Sequence, residues 1–344
     1  MTRAPLPRPT LLPGLPRIWR DPHTLQLGAD PDRAVLLEIT DPRLAELLDL
    51  LDGAHSERAV LDHAAAADIP PEQARALLDV LRDAGLLIGG PALLPNDLPE
   101  PLRHRVGVEA SALALRGGPA PPAQILRRRA HARVVITGRG RLGPLLAVAL
   151  AHAGVGHVRP ELAGVVHPAD LVTAGLVPTD VRRQRTAAVV EAIARSAPGT
   201  ETRPLRSAEA TLTVQVGLDR PAPLLAAAYA RQRRAHLVVG IRDGTPIVGP
   251  FVPANGSPCL TCLDLHRRDR DPDWPVVAAQ LARDHPEPCE TATLLAAVGY
   301  ATAEVLAYLD GAQPETIGSA TEIHAPNRLR RRSWPPHPRC GCSR

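Results

Sequence analysis

The fold is decided by residues 133–154, which read RVVITGRGRLGPLLAVALAHAG. The first five residues form an apolar, β-branched run that predicts a buried strand. Gly138, Gly140 and Gly143 follow in the spacing GxGxxG, and an apolar helix pattern begins directly after Arg141. A strand, this glycine spacing and a helix in that order are typical of a loop whose backbone N–H groups face a nucleotide phosphate. The sequence therefore predicts a Rossmann-like α/β domain, with the three glycines as candidate cofactor-binding residues.

The segments after this loop continue an alternation of strands and helices. Strands are predicted at 156–160, 211–216 and 236–241, and a helix at 180–197. In a nucleotide-binding version, an acid that holds the ribose is expected at the end of the second strand. The nearest acid is Glu161, directly after a proline, so the ribose acid is missing or displaced. The pattern therefore supports the fold more than it supports a bound nucleotide.

The composition excludes several other classes of protein. The 344 residues are enough for two domains, and because only seven are aromatic, the cores must be packed with Leu, Val and Ala. The formal net charge is +4, yet residues 21–88 hold fourteen acidic side chains against five Arg, which excludes a uniformly basic nucleic-acid binder. The Pro-rich start resembles no signal peptide, and Glu304 interrupts the apolar stretch 293–309. We therefore expect no membrane partner and a cytoplasmic location.

The N-terminal third predicts a small separate domain. After a Pro-rich arm at 1–20, residues 21–90 combine a hairpin, three short helices and a closing strand, which is the order of a winged helix. Acidic residues on the third helix make DNA a poor partner, and a domain with no ligand is the alternative. A hairpin edge beside an apolar helix can accept a peptide as an added strand, and the candidate contacts are Val35, Leu37, Ala74 and Leu77.

A change in composition separates the N-terminal domain from the C-terminal domain. Residues 91–130 are rich in Pro and Arg, and we interpret them as a connector with one short strand pair around 106–115. The Rossmann-like domain then spans 131–344.

Four of the five cysteines form two close pairs. Cys259 and Cys262 have the spacing CxxC, and Cys340 and Cys342 have the spacing CxC. In a reducing compartment, four thiolates in two pairs fit one tetrahedral Zn²⁺, which is structural because it leaves no open coordination position. The alternative is four incidental free thiols. The fifth cysteine, Cys289, is interpreted as an idle thiol, with a reactive thiol as the alternative.

Together these motifs resemble the ThiF/ubiquitin-activating-enzyme superfamily. The resemblance rests on GRGRLG after a strand, on GPFVPANGSPCLTCLDLH at 249–266 and on HPRCGC at 337–342, and it covers about residues 20–344. More narrowly, the chain resembles the ThiF-like, leader-peptide-binding partner of the cyclodehydratase in thiazole/oxazole-modified microcin (TOMM) biosynthesis. The narrower resemblance implies a homodimer, a bound leader peptide and a separate, ATP-using YcaO-type cyclodehydratase as partner.

The wider superfamily adenylates a C-terminal carboxylate, and its functional residues match this chain in part. By resemblance, Asp219 corresponds to the Asp that handles Mg²⁺, and Arg185 stands where a Lys is expected. The ribose Asp has no good match, and the Asn-Leu-x-Arg segment that supplies a phosphate-contacting Arg is absent. Arg and Lys donate hydrogen bonds in different geometries, so the replacement is not conservative. The resemblance therefore leaves ATP and Mg²⁺ open as cofactors.

Three functions follow from these observations. The first is a non-catalytic or weakly catalytic scaffold that binds a leader peptide and presents it to the cyclodehydratase. The second is an adenylyltransferase that activates the C-terminus of a small carrier protein or peptide. The third is a dinucleotide-dependent oxidoreductase, which the missing ribose acid disfavours.

Overall fold

The computed structural model describes residues 4–172, 175–206, 209–218, 221–254, 256–282 and 286–343. The chain divides into two compact units, Met1–Arg127 and Arg128–Arg344, called unit 1 and unit 2 below.

Unit 1 combines two small antiparallel sheets with short helices. Strand β1 pairs with β5, and a three-stranded sheet has the order β2-β3-β4. The hairpin expected from the sequence is confirmed as β3 and β4, and one apolar cluster lies between the sheets and the helices. The strands are β1 Pro9–Leu11, β2 Arg17–Asp21, β3 Thr24–Leu27, β4 Val35–Glu38 and β5 Leu87–Gly89, and the helices are α1 Arg43–Glu46, followed by a 3-10 turn at Leu47–Leu50, α2 Glu57–Ala66, α3 Pro71–Asp83, α4 Gly90–Leu93 and α5 Glu100–Arg116.

Two segments of unit 1 differ from the sequence-based expectation. The strand pair expected around 106–115 is wrong, because these residues lie in α5. The side chains of Leu102, Val106, Ala110 and Leu113 are buried, and their spacing of three to four residues is that of one helix face. The Pro-rich start contributes β1 and β2; its prolines flank or begin these strands, where no ladder hydrogen bond is lost.

Unit 2 contains the alternation of strands and helices expected after the glycine loop. Its strands are β6 Arg133–Gly138, β7 His157–Leu162, β8 Leu212–Val216, β9 Ala235–Arg242, β10 Thr245–Val252, β11 Ser319–Ala325 and β12 Arg328–Ser333. Helix α6, Pro122–His131, crosses the division between the units, and the other helices are α7 Leu142–His152, α8 Arg185–Ser196, α9 Ala222–Arg231, α10 Leu260–Arg270, α11 Trp274–Leu281 and α12 Thr291–Asp310, with 3-10 turns at Pro168–Asp170, Pro178–Asp180 and Gly341–Ser343.

The seven strands of unit 2 form one mixed sheet in the order β12-β11-β10-β9-β8-β6-β7. Strands β7, β6, β8 and β9 are parallel, whereas β10, β11 and β12 extend the sheet in antiparallel pairs. In β9, Leu237 and Val239 belong to one apolar cluster and Val238 to another, because successive side chains face opposite sides. Helices therefore cover both faces, with α7, α8 and α12 in the larger cluster and α9 in the smaller.

Helix α12 is the one helix of the described residues that is long and apolar enough to cross a membrane by length and composition. Its apolar side chains belong to the larger cluster of unit 2, where Leu294, Ala297, Ala301 and Val305 are fully buried. Burial against α7 and the sheet accounts for its apolar composition.

A buried ion pair fixes the end of α12. The Arg129 guanidinium donates to both carboxylate oxygens of Asp310, at 2.8 Å and 2.7 Å. Removing one partner of a buried pair leaves the other charge uncompensated, so Asp310→Ala should lower the free energy of unfolding by about 3 kcal/mol in urea denaturation. The control is Glu201→Ala, which removes an exposed pair with Arg203 and should cost less than about 1 kcal/mol. Equal losses in the two variants would contradict this account.

Candidate functional site

The glycine loop joins β6 to α7 and begins a large cavity in unit 2. Gly138 has a φ of 110°, and a Cβ at this position would lie 2.1 Å from the carbonyl oxygen of Val216 in β8. A Cβ on Gly143 would lie 2.6 Å from the side chain of Leu162 in β7. The first glycine therefore lets the loop pass the neighbouring strand, and the third lets α7 pack closely on the sheet. Gly138 is required by the backbone, whatever the loop binds, whereas the close contact at Gly143 is with a side chain.

A carboxylate of the same chain lies on this loop. The backbone N–H of Arg141 donates to Oε2 of Glu287 at 3.0 Å, and a Cβ on Gly140 would lie 2.5 Å from the same oxygen. Burial, as the main cause, raises the pKa of Glu287, although the Arg141 N–H and the charges of Arg185 and Arg141 oppose the shift. The N-terminus of α7 therefore holds an anion, as its backbone dipole and unpaired N–H groups favour. Sequence reasoning missed Glu287, because it stands between two prolines with no periodic pattern.

Arg185 is buried at the start of α8 and lines the cavity. Its Nη1 donates to the carbonyl oxygen of Ala163 at 2.9 Å, and its Nη2 donates to Asp170 at 3.2 Å. The buried Nε has no hydrogen-bond partner among the residues that the structure describes. Arg185, expected from the sequence as a candidate catalytic residue, therefore lines the cavity, with two of its guanidinium nitrogens hydrogen-bonded.

Arg141 connects the loop to two neighbouring segments. Its Nη1 donates to the carbonyl oxygen of Cys289 at 3.1 Å, and its Nη2 donates to that of Ala169 at 3.0 Å. The Cys289 thiol is half-buried and packs against the larger apolar cluster. Burial raises its pKa, with the Arg141 cation opposing the shift, and this disfavours the thiolate that a nucleophile requires. The last sequence-based candidate, Asp219, lies outside the described residues.

The cavity that begins at the glycine loop has a volume of about 1630 Å³. It extends past Gly217 and Gly240 to Trp274 and to β12. Glu161, the nearest acid to the position expected for a ribose ligand, is on β7 with an exposed side chain and is not part of the cavity wall. The site therefore joins a glycine loop and several arginines to a cavity larger than drug-sized ligands require.

The four paired cysteines converge at one point. Their Sγ atoms all lie within 4.8 Å of one another, with Cys259 and Cys340 at 3.6 Å and Cys262 and Cys342 at 3.4 Å. Four thiolates bound tetrahedrally to zinc at about 2.3 Å have a similar spacing. His337 is not directed to this cluster through its ring, because its Nε2 contacts Asp269 at 2.8 Å while its backbone N–H donates to Cys262. The cluster can therefore hold one metal ion that ties the tail to the start of α10.

The sequence-based peptide contacts lie in unit 1 and are mostly core residues. Leu37, Ala74 and Leu77 are buried in its apolar cluster, and Val35 is partly buried against it. The N–H of Ile39 donates to the carbonyl oxygen of His23. Because the backbone groups of successive residues in a strand point to opposite edges, those of Leu37 also face β3, and those of Leu36 and Glu38 face away from it. Among the described residues, β4 has no strand partner on that outer edge. A peptide added as a strand at that edge would therefore form its hydrogen bonds with the backbone groups of Leu36 and Glu38.

No family model matches the chain, and no curated protein matches its sequence. Solved structures do match. The structure of Escherichia coli MccB with MccA has a TM-score of 0.65 and 16% identity, covering 97% of this chain and 99% of that one. MccB with ATP has a TM-score of 0.65 and 15% identity over the same shares. PaaA has a TM-score of 0.64 and 16% identity, covering 93% and 98%. The ThiF-like fold implied by the sequence resemblance is confirmed.

The cysteine cluster gives a direct prediction about metal. If the four thiols close one structural site, the purified chain should contain about one Zn²⁺, and Cys340→Ser should release it and expose the tail to proteolysis. The matched control is Cys289→Ser, which removes the cysteine outside the cluster and should leave the metal content unchanged. Metal analysis that finds no zinc in freshly reduced protein would refute the assignment.

Proposed function

We propose that this chain is an ATP-dependent adenylyltransferase that activates the carboxylate of a peptide. The observation that carries the proposal is the Arg141 N–H at the start of α7, which donates to a carboxylate oxygen of Glu287 and so offers a backbone donor to an acidic oxygen at the glycine loop. The shared fold supports it further, since MccB has been crystallised with ATP and, as a microcin C7 biosynthetic enzyme, with N-formylated MccA. The proposal corresponds to the second of the three functions drawn from the sequence.

The reaction consists of one displacement. An oxygen of the peptide carboxylate attacks the α-phosphorus of ATP, the bond from that phosphorus to the bridging oxygen breaks, and pyrophosphate leaves with the electron pair. The chain's part is to hold phosphate oxygens and compensate their charge. The Arg141 N–H and the Arg185 guanidinium are the groups on the cavity wall that can do so, with Gly138, Gly140 and Gly143 shaping the loop. Asp219 is proposed from the resemblance alone as the residue that handles Mg²⁺.

Unit 1 is proposed as the peptide-recognition element of the winged-helix type. The outer edge of β4 offers the backbone groups of Leu36 and Glu38 for an added strand, and the Leu36 side chain is exposed beside them. The buried side chains of Leu37, Ala74 and Leu77, with Val35, would support this edge from inside. The proposal keeps the cytoplasmic location, the homodimer and a zinc ion in the cysteine cluster from the sequence analysis.

A second candidate function is the non-catalytic scaffold of a TOMM cyclodehydratase with a YcaO-type partner. Two contacts favour it: Glu287 occupies the anion position of the loop, and Asp170 balances the charge of Arg185. A scaffold would bind its peptide without consuming ATP, which separates the two candidates experimentally.

Carboxylate-dependent exchange of pyrophosphate into ATP tests the proposal. We expect exchange with a library of heptapeptides that have a free C-terminal carboxylate and background exchange with the same library amidated. Arg185→Gln should lower the exchange at least tenfold, Arg185→Lys should retain part of it, and the exposed control Arg203→Gln should change nothing. Background exchange with both libraries would refute adenylation and leave the scaffold.

Replacing Glu287 tests whether it competes with nucleotide for the loop. Glu287→Gln removes the competing charge but keeps the shape, so the affinity for ATP measured by calorimetry should rise about tenfold. Glu290→Gln, an exposed residue three positions further along, is the control and should have no effect. A lower affinity in the Glu287 variant would instead make Glu287 a nucleotide-binding residue.

A further inference from the structure

Six arginines line the part of the cavity that lies away from the glycine loop. One of them, Arg331, donates to the Ser319 hydroxyl and to the Glu315 carbonyl oxygen, which leaves five. They come from three elements that are distant in sequence: the end of β9, the last turns of α10 and the strand β12. We call this set the arginine subsite; its members are Arg242, Arg267, Arg270, Arg330 and Arg332.

Most of these charges are not balanced by a residue that the structure describes. Only Arg332 has an acidic partner among the described residues, Glu322, at 2.6 Å. Asp264 is the other buried acid on the cavity wall here, and it already contacts Arg268 and the indole N–H of Trp274. The remaining four guanidinium groups therefore have neither an ion pair nor a side-chain hydrogen bond to a residue that the structure describes.

Arg267 shows the electrostatic effect of placing these guanidinium groups close together. Its guanidinium lies 4.7 Å from the centre of the Trp274 ring, which orients it by a cation–π contact. Burial lowers its pKa to about 10, and the like charges of Arg242, Arg270 and Arg332 act in the same direction, against Asp264. A protein that holds like charges together in a partly enclosed cavity gains from any anion that enters, because the anion removes the repulsion.

The sheet register fixes how far the subsite lies from the glycine loop. Gly138 in β6 is level with Val216 in β8 and Val239 in β9. The same row continues one residue further along β9 through Gly240, Ile247, Glu322 and Arg330. Five strand spacings of about 4.8 Å place Arg330 roughly 24 Å from the loop, and two spacings place Val239, three residues before Arg242 at the end of β9, roughly 10 Å away. An extended peptide advances about 3.3 Å per residue, so these distances correspond to about seven and three residues.

We propose that the arginine subsite binds acidic side chains of the peptide substrate, about three to seven residues before its reacting carboxylate. The inference rests on the proposed function for the position of that carboxylate at the glycine loop. The proposed function assigns the nucleotide phosphates to the loop, and the subsite is therefore assigned to the peptide. Guanidinium groups pair with carboxylates through two parallel hydrogen bonds, which gives the subsite a preference for Asp and Glu.

The experiment compares two fluorescein-labelled decapeptides with a free C-terminus. They are identical except for five positions, three to seven residues before the C-terminus, which carry Glu in one peptide and Gln in the other. Fluorescence anisotropy with the full chain should give an affinity for the Glu peptide about tenfold or more above that for the Gln peptide. The double variant Arg267→Gln/Arg330→Gln should weaken Glu-peptide binding about tenfold, and Arg330→Gln alone, at an exposed position, by about threefold.

The control variant removes two arginines outside the cavity. Arg231→Gln/Arg328→Gln has the same net charge as the first double variant, and both of its residues are exposed and absent from the cavity wall. It should bind the Glu peptide as the unmodified chain does. Equal affinity for the two peptides, or equal losses in the two double variants, would overturn the inference.

Two further measurements separate the inference from its premise. An oligothymidylate with the same charge as the Glu peptide should compete poorly; strong competition that disappears in Arg267→Gln/Arg330→Gln would assign the subsite to phosphates and overturn the inference. Pyrophosphate exchange without discrimination between the peptides would overturn the inference and leave adenylation intact. Tighter binding of the Glu peptide than of the Gln peptide, with no pyrophosphate exchange, would support the acidic subsite and refute adenylation.

Discussion

Strands β6 and β8 are so close at Gly138 that no side chain fits between them. A Cβ there would lie 2.1 Å from the Val216 carbonyl oxygen, and the positive φ of 110° adds a second reason for glycine. From this point the chain turns directly into α7, of which nine of eleven residues are buried. Helices α8 and α12 pack against α7, so the larger core of unit 2 is built around this turn. The same turn directs the N–H of Arg141 to the Glu287 carboxylate, so the backbone constraint at Gly138 also places the hydrogen-bond donor of the candidate site.

The parts of the fold predicted from the sequence are those with strong local signals. The run before the glycines, the hairpin of unit 1 and the CxxC spacing each depend on residues close together in sequence. Two of the elements that were not predicted illustrate why. Residues of α5 include β-branched Val106 and Val108 and a glycine, which weaken the helix signal, and burial of one face decides the outcome. The strand β12 reads RLRRRS, with no alternation of apolar and polar residues, and it is a strand because β11 supplies its hydrogen bonds.

The candidate site likewise contains residues that a sequence motif identifies and residues that only a long-range contact identifies. The cysteine pairs could be assigned to one metal because their chemistry is specific even across about 80 residues. Glu287 could not be predicted as a site residue, because its role arises from a contact with Arg141, which is 146 positions away in sequence. The arginine subsite likewise combines three elements whose adjacency follows from sheet order. Long-range pairing of this kind has no local signature, so it becomes visible only when the strands are placed.

Arg185 shows why the residue type at one position matters for the whole site. Its guanidinium reaches Ala163 and Asp170 with two different nitrogens at once, and its buried Nε has no hydrogen-bond partner among the described residues. A lysine has a single ammonium group at the end of a flexible chain, so it could contact both partners only from one point. The arginine is therefore held rigidly, with a fixed direction for its remaining donor and a neutralising carboxylate beside it. Catalysis therefore requires that an incoming phosphate displace Glu287, because both anions compete for the charges of Arg141 and Arg185.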